Sequence, residues 1–253
     1  MIRTRDEDGV RLLVLDRPEK RNALTLSLIE QVRDGLRSAA EDPGVVGVVV
    51  AGSPPDTCAG VDLHEFAGAT PDSVRTLIGV LAEACAAARL SPKPVAMAIQ
   101  GHCLGAALEL ACACDVRVAT PGAQLGMPEV ALGIPSVIDA ALLERHLGLS
   151  RAAELVLTGE PISGEAAAAW GLVNRLAPAD GLLAAARDLL GRITRHRGAA
   201  IASQKRVVQG WLDLPLSGAV ARSQEELAAS FEDGEPQRRA RELLAARDRG
   251  GDR

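Results

Sequence analysis

Val95-Ala96-Met97-Ala98-Ile99-Gln100-Gly101-His102-Cys103-Leu104-Gly105-Ala106-Ala107-Leu108-Glu109 is the stretch whose reading decides the fold. Its first five residues are an unbroken apolar run of strand length, preceded by Pro92 and Pro94. That is the pattern of a strand buried on both faces. Residues 101–105 read as a tight loop, and small residues lead straight into a helix over 106–113. Backbone N–H groups at a helix start lack partners and sit at the positive end of its dipole. Most such loops are packing devices, but two facing each other could form a site for a developing negative charge.

A second loop of this kind lies upstream. Residues 45–50 are a β-branched run read as another doubly buried strand, and 51–60 are rich in Gly, Pro and small residues. The loop ends in Cys58-Ala59-Gly60-Val61-Asp62-Leu63, and Asp72 or Ser73 then starts a long Ala/Leu helix to about residue 90. Strand, glycine loop and helix thus occur twice, as an architectural echo rather than a sequence repeat.

The flanks extend this α/β pattern. Residues 2–6 and 10–15 are expected to pair as strands about Asp8-Gly9, a strong hairpin signal. Thr25 or Ser27 caps a helix whose buried stripe is Leu28, Val32 and Leu36, and Pro43-Gly44 closes it. Downstream, 116–119 and 173–176 read as short strands, and Ser136 as the cap of an apolar helix to about 147. Ser150 and Ser163 start two more helices. Beyond 176 the reading is helical: about 179–195, 199–211 and 217–247. The last carries Glu225, Glu226, Arg238, Arg239, Arg241 and Glu242. It is either a solvated helix or one that packs on another subunit. The expected division is a core over 1–190 and a helical C-terminal region over 191–253.

Bulk composition narrows the function classes. The 253 residues are 47% hydrophobic but only 2% aromatic, so the core must be built from Ala, Val, Leu and Ile. A net charge of -5 argues against a nucleic-acid partner, which selects a basic face. No apolar run reaches the ~18 residues of a membrane span. The charged opening Met1-Ile2-Arg3-Thr4-Arg5-Asp6 does not read as a signal peptide. The five Cys are odd in number and complete no zinc pattern. Reduced thiols in a cytoplasmic protein, with no metal, are expected.

Two acids stand in apolar company. Glu109 lies between Leu108 and Leu110 one turn into its helix, and Glu129 follows Pro128 in an apolar stretch. A carboxylate in such surroundings is costly, and its pKa tends to rise, which suits a general acid/base. A local salt bridge for Glu109 and a surface turn for Glu129 are the plainer alternatives.

Taken together and in order, these segments resemble the enoyl-CoA hydratase/isomerase (crotonase) superfamily. Arg17-Pro18-Glu19-Lys20-Arg21-Asn22-Ala23-Leu24 resembles its opening signature, and residues 58–63 its first oxyanion loop. Residues 101–109 with Asp115 resemble its second. Gly126-Met127-Pro128-Glu129 and Leu132-Gly133-Ile134-Pro135 resemble the segment bearing its second acid. Thr158-Gly159, Ile162-Ser163 and Trp170-Gly171-Leu172-Val173-Asn174 resemble a late structural signature.

The resemblance implies a crotonase-like (ClpP/crotonase) spiral of ββα units with a helical C-terminal region that assembles trimers or hexamers. It implies an acyl-CoA substrate, with coenzyme A part of that substrate and no separate cofactor. It assigns the backbone N–H groups of Val61 and Ala106 to an oxyanion hole, and Glu109 and Glu129 to acid–base catalysis. In hydratases Glu109 would help activate water for addition at the β-carbon, and Glu129 would supply the α-proton. Lys20, Arg21, Ala23, Ala59, Asp62, Leu63 and Pro135 match substrate- or CoA-contacting positions, although Lys20 and Arg21 fit plain solvation equally well.

This sequence departs from the family pattern in four places. Ser136-Val137-Ile138-Asp139 replaces a Gly-rich stretch, Ala106 stands where Gly is common, and His64 where some relatives carry Lys. Leu243 and Leu244 occupy the region of a usual aromatic. Acyl-chain size and reaction type are therefore left open. The retained pair of acids favours an enoyl-CoA hydratase, a carbon–oxygen lyase. The alternatives are a double-bond isomerase, a thioester hydrolase or a non-catalytic CoA-binding relative.

Overall fold

The computed structural model describes residues 1–250, with side chains to 247. Two strands, β1 (Ile2–Glu7) and β2 (Val10–Leu15), open the chain as an antiparallel hairpin. Asp8 (φ 51°) and Gly9 (φ 76°) supply the two left-handed residues that the tightest hairpin turns require. Thr25 then caps α1 (Leu26–Glu41), accepting from the Leu28 N–H at 3.2 Å. β3 (Gly47–Gly52) starts two residues later than the β-branched run suggests. Val45 is held in the preceding turn by the Asp42 carbonyl, and the ladder with β2 begins at Gly47.

Next come α2 (Leu63–Ala67), α3 (Pro71–Arg89), β4 (Val95–Ile99), β5 (His102–Leu104) and α4 (Ala106–Ala113). The cap of α3 is Thr70, not Asp72 or Ser73. Thr70 and Ser73 exchange side-chain-to-backbone bonds as a capping box, which leaves Pro71 in the first turn, where its missing N–H costs nothing. β6 (Val116–Ala119), β7 (Gln124–Gly126), α5 (Leu142–Leu147), α6 (Leu149–Thr158), β8 (Ile162–Ser163), α7 (Gly164–Ala169), β9 (Arg175–Leu176) and α8 (Leu182–Thr194) complete the first compact unit, which ends at His196.

Six strands form the main sheet in the order β1-β2-β3-β4-β6-β9, parallel from β2 onward. Both faces are covered. Val48, Val50, Val95, Met97 and Ile99 point into the larger core with α1, α3 and α4. Val49, Ala51, Ala96 and Ala98 face Leu182, Ala186 and Leu190 of α8. That is why these strands read as continuous apolar runs. A small sheet, β5-β7-β8, is built from residues within the second glycine loop and the two later segments. The mostly parallel sheet with helices packed on both faces is the α/β architecture expected above.

The second unit begins at Arg197 and is helical: α9 (Gly198–Asp213), α10 (Leu216–Ala229) and α11 (Glu235–Gly250). The single helix expected over 217–247 is two. Gly234 takes φ +70°, Asp233 Oδ1 accepts from the Glu235 N–H at 2.9 Å, and Pro236 fits only the first turn of a new helix. Among the described residues no helix is long and apolar enough to cross a membrane.

Candidate active site

The two glycine loops are stitched to each other. The Cys58 N–H donates to the His102 carbonyl at 2.8 Å, and the Leu104 N–H to the Cys58 carbonyl at 3.1 Å. Asp56 Oδ1 accepts from both the His102 N–H (2.9 Å) and its Nδ1 (2.7 Å). Gly60, at φ +94°, packs so closely that a Cβ there would lie 3.0 Å from the Leu104 carbonyl oxygen. Asn22, fully buried, fastens the opening signature to the first loop by donating to the carbonyls of Ser53 (2.8 Å) and Asp56 (2.7 Å).

This stitching aims two N–H groups. The Leu24 N–H donates to the Gly60 carbonyl, and the Asp62 N–H to the Leu24 carbonyl, each at 2.8 Å. Between them Val61 must direct its own N–H away from Leu24, because successive amides of an extended chain alternate in direction. Ala106 is the first residue of α4, whose N–H has no intrahelical acceptor. Neither donor has a partner among the described residues, and both residues line one cavity of about 280 Å³.

Into this cavity come both acids. Glu109 is only 3% exposed, and its Oε2 has no hydrogen-bond partner among the described residues. Burial pushes its pKa up to about 8, the nearby charge of Glu129 adds to the rise, and the Val137 backbone N–H opposes it. Glu129 is half-buried in a 3-10 turn over Pro128–Leu132. The β5–β7 pairing and a bond from the Gly105 N–H to the Gly126 carbonyl (2.9 Å) draw that segment against the second loop. Glu129 Oε1 lies where a Cβ at Gly105 would stand.

The rest of the cavity wall is apolar. It includes Leu63, Phe66, Ile78, Leu81, Ile134 and Val137, with Ala59 and Pro135 also present. Of the residues named from the sequence, Ala59, Val61, Leu63, Ala106, Glu109, Glu129 and Pro135 meet here. Lys20, Arg21, Ala23 and Asp62 do not line it. Lys20 and Arg21 are exposed, and the Arg21 carbonyl accepts from the Ala59 N–H at 3.0 Å, tying that turn to the first loop. Asp62 is buried, with its carboxylate spent on capping α2 through the His64 N–H (2.9 Å) and on Arg17. These bonds hold it well below the usual carboxylate range.

Two contributors were not singled out from the sequence. Ser136, expected to cap a helix, instead donates to Glu129 Oε2 at 3.0 Å, and a 3-10 turn over Ile138–Ala141 intervenes before α5. Only its place in the stretch that replaces the Gly-rich pattern hinted at it. Arg117 is buried and donates to the Ala111, Cys114 (each 2.8 Å) and Leu172 (2.6 Å) carbonyls. Its positive charge thus sits at the C-terminal end of α4, complementing the dipole whose other end is the Ala106 N–H.

The cysteines are all buried, and burial pushes the Cys58 and Cys112 thiols up to about 12. They are poor nucleophiles in this fold. Among the described residues no cluster of three or more His, Cys, Asp or Glu could hold a metal ion.

Comparison with known proteins places the chain in a family. Residues 5–240 match the model of the family described as enoyl-CoA hydratase/isomerase. A 2,3-dehydroadipyl-CoA hydratase of Escherichia coli is 35% identical over 230 residues, covering 90% of this chain and 89% of that protein. A mevalonyl-coenzyme A hydratase of Aspergillus fumigatus is 34% identical, covering 73% of this chain and 69% of its own length. The crystal structure of an enoyl-CoA hydratase from Mycobacterium smegmatis superposes with a TM-score of 0.91 at 28% identity, covering 97% of this chain and 96% of that one.

Proposed function

Because this chain belongs to the enoyl-CoA hydratase/isomerase family, we propose that it catalyses the reversible addition of water across the 2,3 double bond of a 2-enoyl-CoA. The observation that carries this reading is the pairing of two carboxyls, Glu109 and Glu129, in one cavity beside two unpartnered backbone N–H groups. An isomerase needs one acid–base group; addition of water uses two.

In the proposed hydration, the N–H groups of Val61 and Ala106 hold the thioester oxygen as negative charge gathers on it. Water oxygen bonds to the β-carbon and its proton passes to Glu109. The carbon–carbon π pair moves through the enolate to the α-carbon, which takes a proton from Glu129. The cycle leaves Glu109 protonated and Glu129 ionised, and a proton shift between the two acids resets it. Burial keeps the proton on Glu109 at rest, since its pKa is raised to about 8. The free enzyme near neutral pH is thus poised for dehydration of a 3-hydroxyacyl-CoA: Glu129 takes the α-proton and Glu109 protonates the departing hydroxyl.

The acyl chain is proposed to be uncharged and apolar. The wall formed by Leu63, Phe66, Ile78, Leu81, Ile134 and Val137 offers no basic partner to a second carboxylate, which would be costly to bury there. The Lys20–Arg21 turn is the proposed contact for coenzyme A phosphates. Assembly as a trimer or hexamer through the C-terminal helices, and a cytoplasmic location with reduced thiols, belong to the same proposal.

Running the reaction in D2O tests it. The expected product is a 3-hydroxyacyl-CoA with one deuterium at the α-carbon, seen by NMR. A shifted double bond, or free coenzyme A without a 3-hydroxy product, would overturn it.

A further inference from the structure

We propose that Ser136 is a positioning residue that fixes which oxygen of Glu129 gains and loses the catalytic proton; this rests on the hydratase reading above. The 3-10 turn bearing Glu129 ends at Gly133 (φ +73°), and the Ile134 N–H folds back onto the Glu129 carbonyl at 3.2 Å. The chain therefore doubles over itself, and the Ser136 hydroxyl donates to Glu129 Oε2 at 3.0 Å. Oε1 is left packed against Gly105, the residue before Ala106.

The two oxygens are thereby made unequal. A terminal carboxyl torsion is broad and roughly two-fold, so an untethered Glu would present either oxygen. With Oε2 engaged as an acceptor, the proton comes and goes at Oε1, beside the place where the thioester oxygen is held. Glu109 on α4 feels the charge of both Glu129 and Asp139, and Arg89 of α3 holds Asp139 at 3.4 Å. None of these donates to Oε2.

The test compares Ser136→Ala with Ser136→Thr, which keeps the hydroxyl. For Ser136→Ala the expected result is a kcat about tenfold lower with KM little changed, the loss of one hydrogen bond to an ionising group. The acidic limb of the pH–rate profile for 3-hydroxyacyl-CoA dehydration should move to higher pH, because the ionised Glu129 loses a donor. Ser136→Thr should restore both. Wild-type kcat and an unmoved limb in Ser136→Ala, or a Thr variant as slow as Ala, would overturn the proposal. Ser136→Cys, near in size with a weaker donor, serves if the Ala variant does not fold, and should fall between Ser and Ala. A 13C NMR titration of the Glu129 carboxyl in the free protein reads the same effect without turnover. An upward shift in Ser136→Ala supports the tether even if the wild type hydrates no 2-enoyl-CoA, an outcome that sinks only the functional reading.

Discussion

Glu129 Oε1 occupies the space beside Gly105 that any other residue's Cβ would fill. Gly105 also adopts φ 52° and ψ -122°, a conformation that only glycine takes without strain. The two facts explain why Ala should not be accepted at position 105. In Gly105→Ala the carboxyl must shift and the loop must twist. The expected outcome is a kcat about 100-fold lower or worse, comparable to loss of one oxyanion donor, with a lower melting temperature. Steady-state kinetics alongside calorimetry check this; a variant as active and stable as the wild type contradicts the geometry.

Glu109 is expected to be functionally required and thermodynamically costly. Its pKa in the folded chain is raised to about 8 from the ordinary 4.5. Between those values the folded protein holds a proton that the unfolded chain has released. Stability therefore falls as pH rises through that window, by an amount on the order of a few kcal/mol. Glu109→Gln removes the penalty. Its melting temperature should exceed that of the wild type at about pH 9 and differ little at about pH 4, while activity is lost. A variant that melts below the wild type at both pH values would show that the carboxyl is stabilising where it lies.

Arg117 is the reverse case, a buried charge wholly committed to structure. It closes the end of α4 through three carbonyls, those of Ala111, Cys114 and Leu172. Arg117→Met should lose about 3 kcal/mol or more by chemical denaturation, since those acceptors would be stranded. Arg117→Lys should not recover it, because a point charge cannot replace the planar fork.

The thiols give a further check. All five cysteines are buried. An aromatic disulfide reagent should label almost none in the native protein and all five after denaturation. Rapid native labelling of any one would contradict its burial.

Much of the fold was legible because its signals are local. The Asp8-Gly9 turn, the apolar runs of β3 and β4 and the small residues opening α4 each state their own structure. The acids were legible because Glu109 stands among apolar neighbours and is buried there. What escaped depends on partners distant in sequence. Ser136 reads as a helix cap until the turn at Gly133 lays it on Glu129, and Arg117 looks like one Arg of many until Leu172 reaches it. The break before α11 has local signals in Gly234 and Pro236, but the charge pattern on either side suggests continuity.

The most direct measurement is the decay of the conjugated enoyl-thioester absorbance with purified wild type, Glu109→Gln and Glu129→Gln, each over a panel of apolar 2-enoyl-CoAs and 2,3-dehydroadipyl-CoA. Rapid decay with the apolar thioesters, little with the dicarboxylic one, and none in either variant is the predicted result. Full activity in either variant would contradict the two-acid site, and no decay with any thioester would contradict the hydratase reading itself.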